Sequence, residues 1–155
     1  MSGFEKRLAG LDIALPEVPV PIARFKPWRM TGDLVYLAGQ ICEWNGTVTH
    51  VGKVGVDHDI TAGQAAARIC GLNLVAALRK ACGGDLDRVG HCVRLGGFVN
   101  CDPDFDAVPF VVNGASDLMA EIFGDAGEHA RTAIGVAALP RRAAVEVEAI
   151  FRRLS

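Results

Sequence analysis

The chain has 155 residues, half of them apolar and 22% charged, with a formal net charge of −2. That length suits one domain with a real core, and so few charges exclude a chain disordered throughout. No period recurs, so a repeat array is excluded, and the faintly acidic balance gives no electrostatic footprint for nucleic acid.

Phe4 to Leu11 reads as a short amphipathic helix, with Phe4, Leu8 and Leu11 on one side. Pro16, Pro19 and Pro21 make the next stretch an extended leader. Trp28 to Met30 and Leu34 to Cys42 read as strands turned at Thr31-Gly32-Asp33. Asn45-Gly46 is a hairpin signal ahead of a third strand near Thr47 to Val51. A long helix is expected from Ala62 to about Cys82, opened by a capping box at Thr61 and Gln64 and stopped by Gly83-Gly84. Its small residues would let it lie close on a sheet.

Val89 to Asn100 reads as a strand, and Phe105 to Ile122 as helical. Thr132 to Leu139 and Val145 to Phe151 then read as two strands of a hairpin. In Val145-Glu146-Val147-Glu148 both valines share one face and both glutamates the other. The order β-β-β-α-β-α-β-β predicts an α+β fold in which helices cover one sheet face. The other face, partly apolar, would need a partner, which points to an oligomer.

No apolar segment follows the N-terminal charges. The longest apolar stretch, Ala65 to Leu78, is broken by Arg68 and Asn73, so neither export nor membrane insertion is expected. Five scattered cysteines, none at C-x-x-C spacing, fit buried thiols in a reducing cytoplasm.

Most catalytic signatures are missing. There is no G-x-S-x-G, Walker loop or G-x-G-x-x-G. His50, His58, His91 and His129 show no metal-ligand spacing, so no metal is expected. Ser116 reads as a helix-start residue and His129 as a loop residue. Arg141-Arg142 and Arg152-Arg153 read as solvated charges. One segment remains: Arg131 opens an otherwise apolar strand, where a guanidinium is costly unless paired or met by an anion. Glu146, on the expected neighbouring strand, is the candidate partner. The residues alone leave two readings open, a structural Arg–Glu pair or a shared ligand cavity.

Three stretches carry a resemblance. They are Gly32-Asp-Leu-Val-Tyr-Leu-Ala-Gly39-Gln40-Ile41, Arg131 through Leu139-Pro140, and Val145-Glu-Val-Glu-Ala-Ile150. Together with the order of elements between them, these resemble the RidA/YjgF reactive-intermediate deaminases, also called the endoribonuclease L-PSP family. The likeness spans roughly Pro16 to Phe151, and the stretches Asn113-Gly-Ala-Ser-Asp and Phe123 to Arg131 suggest a distinct branch.

It implies a chorismate-mutase-like α+β domain over residues 1–155, with 1–15 as a helical leader, assembled as a homotrimer with ligand clefts between subunits. The implied activity is cofactor-free hydrolysis of 2-imino or enamine acids to 2-keto acids and ammonia. The family's arginine falls on Arg131, which would clamp the substrate carboxylate, and its glutamate on Glu146, which would activate water. The Gly39 N–H would help hold the carboxylate, Ala133 would offer its backbone to the imine nitrogen, and Phe25 would line the mouth.

Four positions depart from the archetype: Phe25 replaces tyrosine, Ala38 serine, Ala133 cysteine and Pro109 asparagine. The depleted polar lining points to a bulkier or more apolar substrate. The same departures support an alternative, a trimeric protein that binds small carboxylates without turnover. Neither a nucleic acid nor a membrane partner is expected.

Overall fold

The computed structural model describes residues 3–155, so the reading at Met1 and Ser2 lies outside the described residues. Helix α1 (Phe4–Gly10) precedes the proline-rich leader. It docks through Phe4, whose ring meets Phe123 edge-on at 5.0 Å. Strands β1 (Trp28–Thr31) and β2 (Leu34–Ile41) turn at Gly32, which has φ +58°. Short strands β3 (Glu43–Trp44) and β4 (Thr47–Val48) form a separate two-stranded sheet around Asn45 and Gly46, both at positive φ. The third expected strand is therefore a two-residue hairpin arm, shorter than the sequence suggests.

Helix α2 (Ile60–Ala81) starts earlier than expected. Its cap is Asp59, whose Oδ1 accepts the Ala62 N–H at 2.8 Å. Gln64 does not close a capping box with Thr61, because its side-chain amide donates across to the Phe110 carbonyl at 2.9 Å. An Asp cap satisfies the same orphan donor and adds a negative charge at the positive helix end. That leaves Gln64 free to join α2 to α3 (Val108–Phe123).

Strand β5 (Val89–Asn100), α3 and β6 (Ala130–Val136) make a parallel crossover unit, and β7 (Val145–Arg153) closes the sheet. The order is β1-β2-β7-β5-β6, with only the β5–β6 pair parallel. The hairpin expected between the Arg131 and Glu146 strands does not form, because β5 lies between them. A helix of α3's length is what a parallel β5–β6 pairing requires, so β6 is consumed by the crossover and ends as an edge strand.

Helices α2 and α3 cover one face, and Phe151, Leu74, Leu78, Leu95, Leu118 and Ile122 fill the space between. The helices approach closely through small residues. A Cβ on Gly71 would lie 2.8 Å from Leu118 Cδ2, and one on Gly114 would collide with the Gln64 carbonyl. The pleat and register set Arg29, Tyr36, Ile150, Glu148, Glu146, Phe98, Thr132 and Ile134 on the opposite, uncovered face. The five cysteines are free and buried.

Candidate functional site

Arg131 pairs in register with Leu95, a core residue, so it points to the helix side of the sheet. There the guanidinium meets three neutral oxygens of α3. Nη1 donates to Asn113 Oδ1 at 2.8 Å and Ser116 Oγ at 3.1 Å, and Nη2 donates to the Pro109 carbonyl at 3.4 Å. Among the described residues, no carboxylate pairs with it. Of five guanidinium N–H groups, about two remain for a ligand, enough for a bidentate carboxylate.

Ser116 is not a helix-start residue. It sits within α3, on the turn after Asn113, and also contacts His129. The His129 Nδ1 lies 2.6 Å from the Gly127 carbonyl, and Nε2 lies 2.9 Å from Ser116 Oγ. A carbonyl only accepts, so in the neutral imidazole Nδ1 carries the proton and Nε2 is left to accept from the Ser116 hydroxyl. That orientation turns an Oγ lone pair to Arg131. The loop residue His129 thereby sets the acceptor that holds the guanidinium.

Glu146 pairs in register with Phe98 on the uncovered face, so it and Arg131 project from opposite faces of the sheet on strands separated by β5. Within one protomer the expected Arg131–Glu146 pair is therefore absent. Instead Glu146 sits against Gly39, where a Cβ would stand 2.7 Å from Glu146 Oε1. Gly39 itself falls in the register shift between Leu37 and Gln40, outside the β2–β7 ladder. Burial, then repulsion from Glu148, raises the Glu146 carboxyl above its ordinary value. Among the described residues no side chain or backbone donor is hydrogen-bonded to it.

A cleft of about 520 Å³ opens over Gly39 and Glu146. One wall is sheet. The other is the proline-rich segment from Glu17 to Phe25, which belongs to no helix or strand. Among its lining residues, Arg141 donates to Glu43 Oε2 at 2.8 Å and to the Gly46 carbonyl at 2.7 Å. Arg141 is thus a cleft residue and not simply a solvated charge. Phe25 is exposed at the cleft's rim, and Ala38 lies beside it.

The structure thus divides the sequence-derived candidates into two groups. Phe25, Ala38, Gly39 and Glu146 gather on the β2–β7 side, while Pro109, Arg131 and Ala133 gather at α3 and the β6 edge. Sequence reading missed Asn113 and Ser116 as partners of Arg131. The i, i+3 spacing of these polar residues on a mainly apolar helix was the available signal. It also missed the Glu43–Arg141 pair, for which no local signal exists at a separation of 98 residues. Among the described residues no three metal-ligating side chains come together, and no helix is long and apolar enough to cross a membrane.

Comparison with known proteins supplies the lineage. Residues 5–151 match the family model described as "YjgF/chorismate mutase-like, putative endoribonuclease". Protein TCP17 of Trypanosoma cruzi is 42% identical over 144 residues, covering 92% of this chain and 89% of that protein. The crystal structure of Atu1372 from Agrobacterium tumefaciens, a protein of unknown function, is 38% identical with TM-score 0.90, covering 97% of this chain and 92% of that one. The YjgF gene product of E. coli is 28% identical with TM-score 0.61, covering 88% and 94%. With the family model covering nearly the whole chain and the α+β fold in agreement, the chain belongs to the RidA/YjgF family.

Proposed function

We propose that the protein is a cofactor-free hydrolase that converts 2-imino or enamine acids to 2-keto acids and ammonia in clefts between the subunits of a homotrimer in a reducing cytoplasm. The observation that carries the reading is the state of Arg131: a half-buried guanidinium fixed by three neutral oxygens, with no carboxylate among the described residues to neutralise it. Such a cation is built to receive an anion. Glu146 is its complement, a half-buried carboxylate with no hydrogen-bond donor among the described residues. The two face away from each other within one chain, and a neighbouring copy that set the β6 edge of one protomer against the Gly39–Glu146 cleft of the next would unite them.

In that arrangement Arg131 clamps the substrate carboxylate, with help from the Gly39 N–H. The backbone of Ala133 accepts from the imine N–H. Glu146 takes a proton from water as the oxygen attacks C2 and the C=N electron pair moves to nitrogen. It returns that proton to nitrogen to give the carbinolamine, then takes the hydroxyl proton as the carbonyl forms and passes it to nitrogen as the C–N bond breaks, releasing ammonia and leaving the 2-keto acid. Burial above the ordinary carboxylate range suits Glu146 to both halves of this exchange. Orientation and charge stabilisation are the protein's whole contribution.

A coupled assay tests this. An amino-acid oxidase generates 2-iminobutanoate, and the rate of imine loss is followed with wild type and Arg131→Ala. Acceleration that falls by about 100-fold or more in the variant, the cost of losing a charged clamp, is the expected result. No acceleration by folded wild type, alongside saturable 2-oxobutanoate binding, would instead establish carboxylate capture without turnover.

A further inference from the structure

A second cleft, of about 750 Å³, adjoins the first and is lined by Ala23, Arg24, Phe25, Lys26, Arg29, Tyr36, Leu37 and Ala38. Phe25 lines both clefts, and Ala38 of this one is followed directly by Gly39 of the other. Three cations, Arg24 and Lys26 on either side of Phe25 and Arg29 two residues past Pro27, therefore line the cleft that adjoins the Gly39–Glu146 cleft. None of the three has an ion-pair or side-chain hydrogen-bond partner among the described residues. The clustering is local: from Val18 to Gly32 the chain carries these three basic residues and no acidic one, although its net charge is −2. The segment is also stiffened, with Pro21 and Pro27 bracketing it and the Pro27 carbonyl accepting the Ala38 N–H at 2.9 Å. Arg29 is held on β1, in register opposite Tyr36.

Unpaired cations pre-set beside a small cleft favour an anionic group of matching size. A nucleic-acid backbone fits poorly, because the sheet face beyond the cleft carries Glu146 and Glu148. We propose that Arg24, Lys26 and Arg29 form an anion subsite, so that the preferred ligands are 2-oxo or 2-imino acids carrying a second anionic group, carboxylate or phosphate, on the side chain. This rests on the reading of the Gly39–Glu146 cleft as the carboxylate site and names its substrate class. It also revises the expectation of a more apolar substrate drawn from Phe25 and Ala38: the archetype's polar lining is lost at those positions, but charge is supplied just past them.

Calorimetric titration with stable 2-oxo acids tests the subsite without requiring turnover. The probes are 2-oxobutanoate, with one anionic group, and 2-oxoglutarate and 3-phosphooxypyruvate, each with a second. The protein is wild type and the triple variant Arg24→Ala/Lys26→Ala/Arg29→Ala. Wild type should bind at least one of the two larger anions about tenfold more tightly than 2-oxobutanoate at low salt, the preference shrinking as salt rises. Which of the two gains identifies carboxylate or phosphate. In the variant the preference should vanish while the Kd for 2-oxobutanoate stays unchanged. Equal affinity for all three in wild type, or a preference that survives in the variant, overturns the subsite and leaves the carboxylate cleft standing. Binding of none of the three overturns both.

Discussion

The chemistry of single residues is set by what they lack. Among the described residues Arg131 has neutral partners and no counter-ion, and the Ser116 hydroxyl is oriented through His129 and the Gly127 carbonyl. Ser116→Ala removes one acceptor from the guanidinium and leaves the other two. The expected loss is about 1 kcal/mol, or about fivefold, appearing in KM more than in kcat because the carboxylate is gripped in ground and transition state alike. Steady-state kinetics on wild type and variant check the split. Glu146 gives the opposite kind of prediction. Its folded pKa is raised by burial and by Glu148, so ionisation costs the folded protein stability. That cost is absent below the ordinary glutamate range and grows as pH rises through the raised value. Glu146→Gln should therefore melt higher than wild type at pH 7, converge with it near pH 4, and lose activity at every pH. Thermal melts at the two pH values, with matched rate measurements, decide it.

At the scale of elements, α2 and α3 pack through absent side chains. Gly114 faces the Gln64 carbonyl so closely that any Cβ would force the helices apart. Gly114→Val should cost several kcal/mol, in the range of overpacking lesions or beyond, and denaturant titration would show the midpoint falling. Because α3 also carries Asn113 and Ser116, the same change should weaken ligand binding without touching a ligand contact. Most elements were legible in the sequence: α1, α2, β5 and β7 follow from periodicity, and the helix stops at Gly83 and Gly84, which take φ +76° and +91°. The start of α2 was misread because Asp59 and Thr61 both make good caps, and only tertiary structure shows that Gln64 is spent on Phe110. Pairing was harder still. Strands β6 and β7 are neighbours in sequence with a short connection between them, and nothing local announces that β5 is inserted between them.

At the scale of the whole molecule, the candidate site is in two halves. Arg131 and Glu146 were individually legible, each an ionisable group on a strand with apolar neighbours, but their placement was not, because it depends on sheet order. The trimer proposal predicts complementation. Arg131→Ala and Glu146→Gln, each inactive alone, should regain about a quarter of wild-type activity when co-refolded at equal amounts, since random mixing restores that share of the inter-chain sites. Activity that stays at the level of the parents in mixed oligomers would overturn an inter-chain site that needs both residues.

The cleft itself has unlike walls. One is sheet, where Gln40 and Ile41 pair with β7 and Glu146 pairs with both Ile41 and Phe98. The other is the stretch from Glu17 to Phe25, which contributes to no helix or strand. Substitutions on the first wall answer to folding, while those on the second answer mainly to the ligand. Under the proposed function, relatives could therefore diverge in substrate by rewriting that stretch while keeping Arg131 and Glu146. The breadth of a family built on this scaffold would then lie in its leader and not in its core.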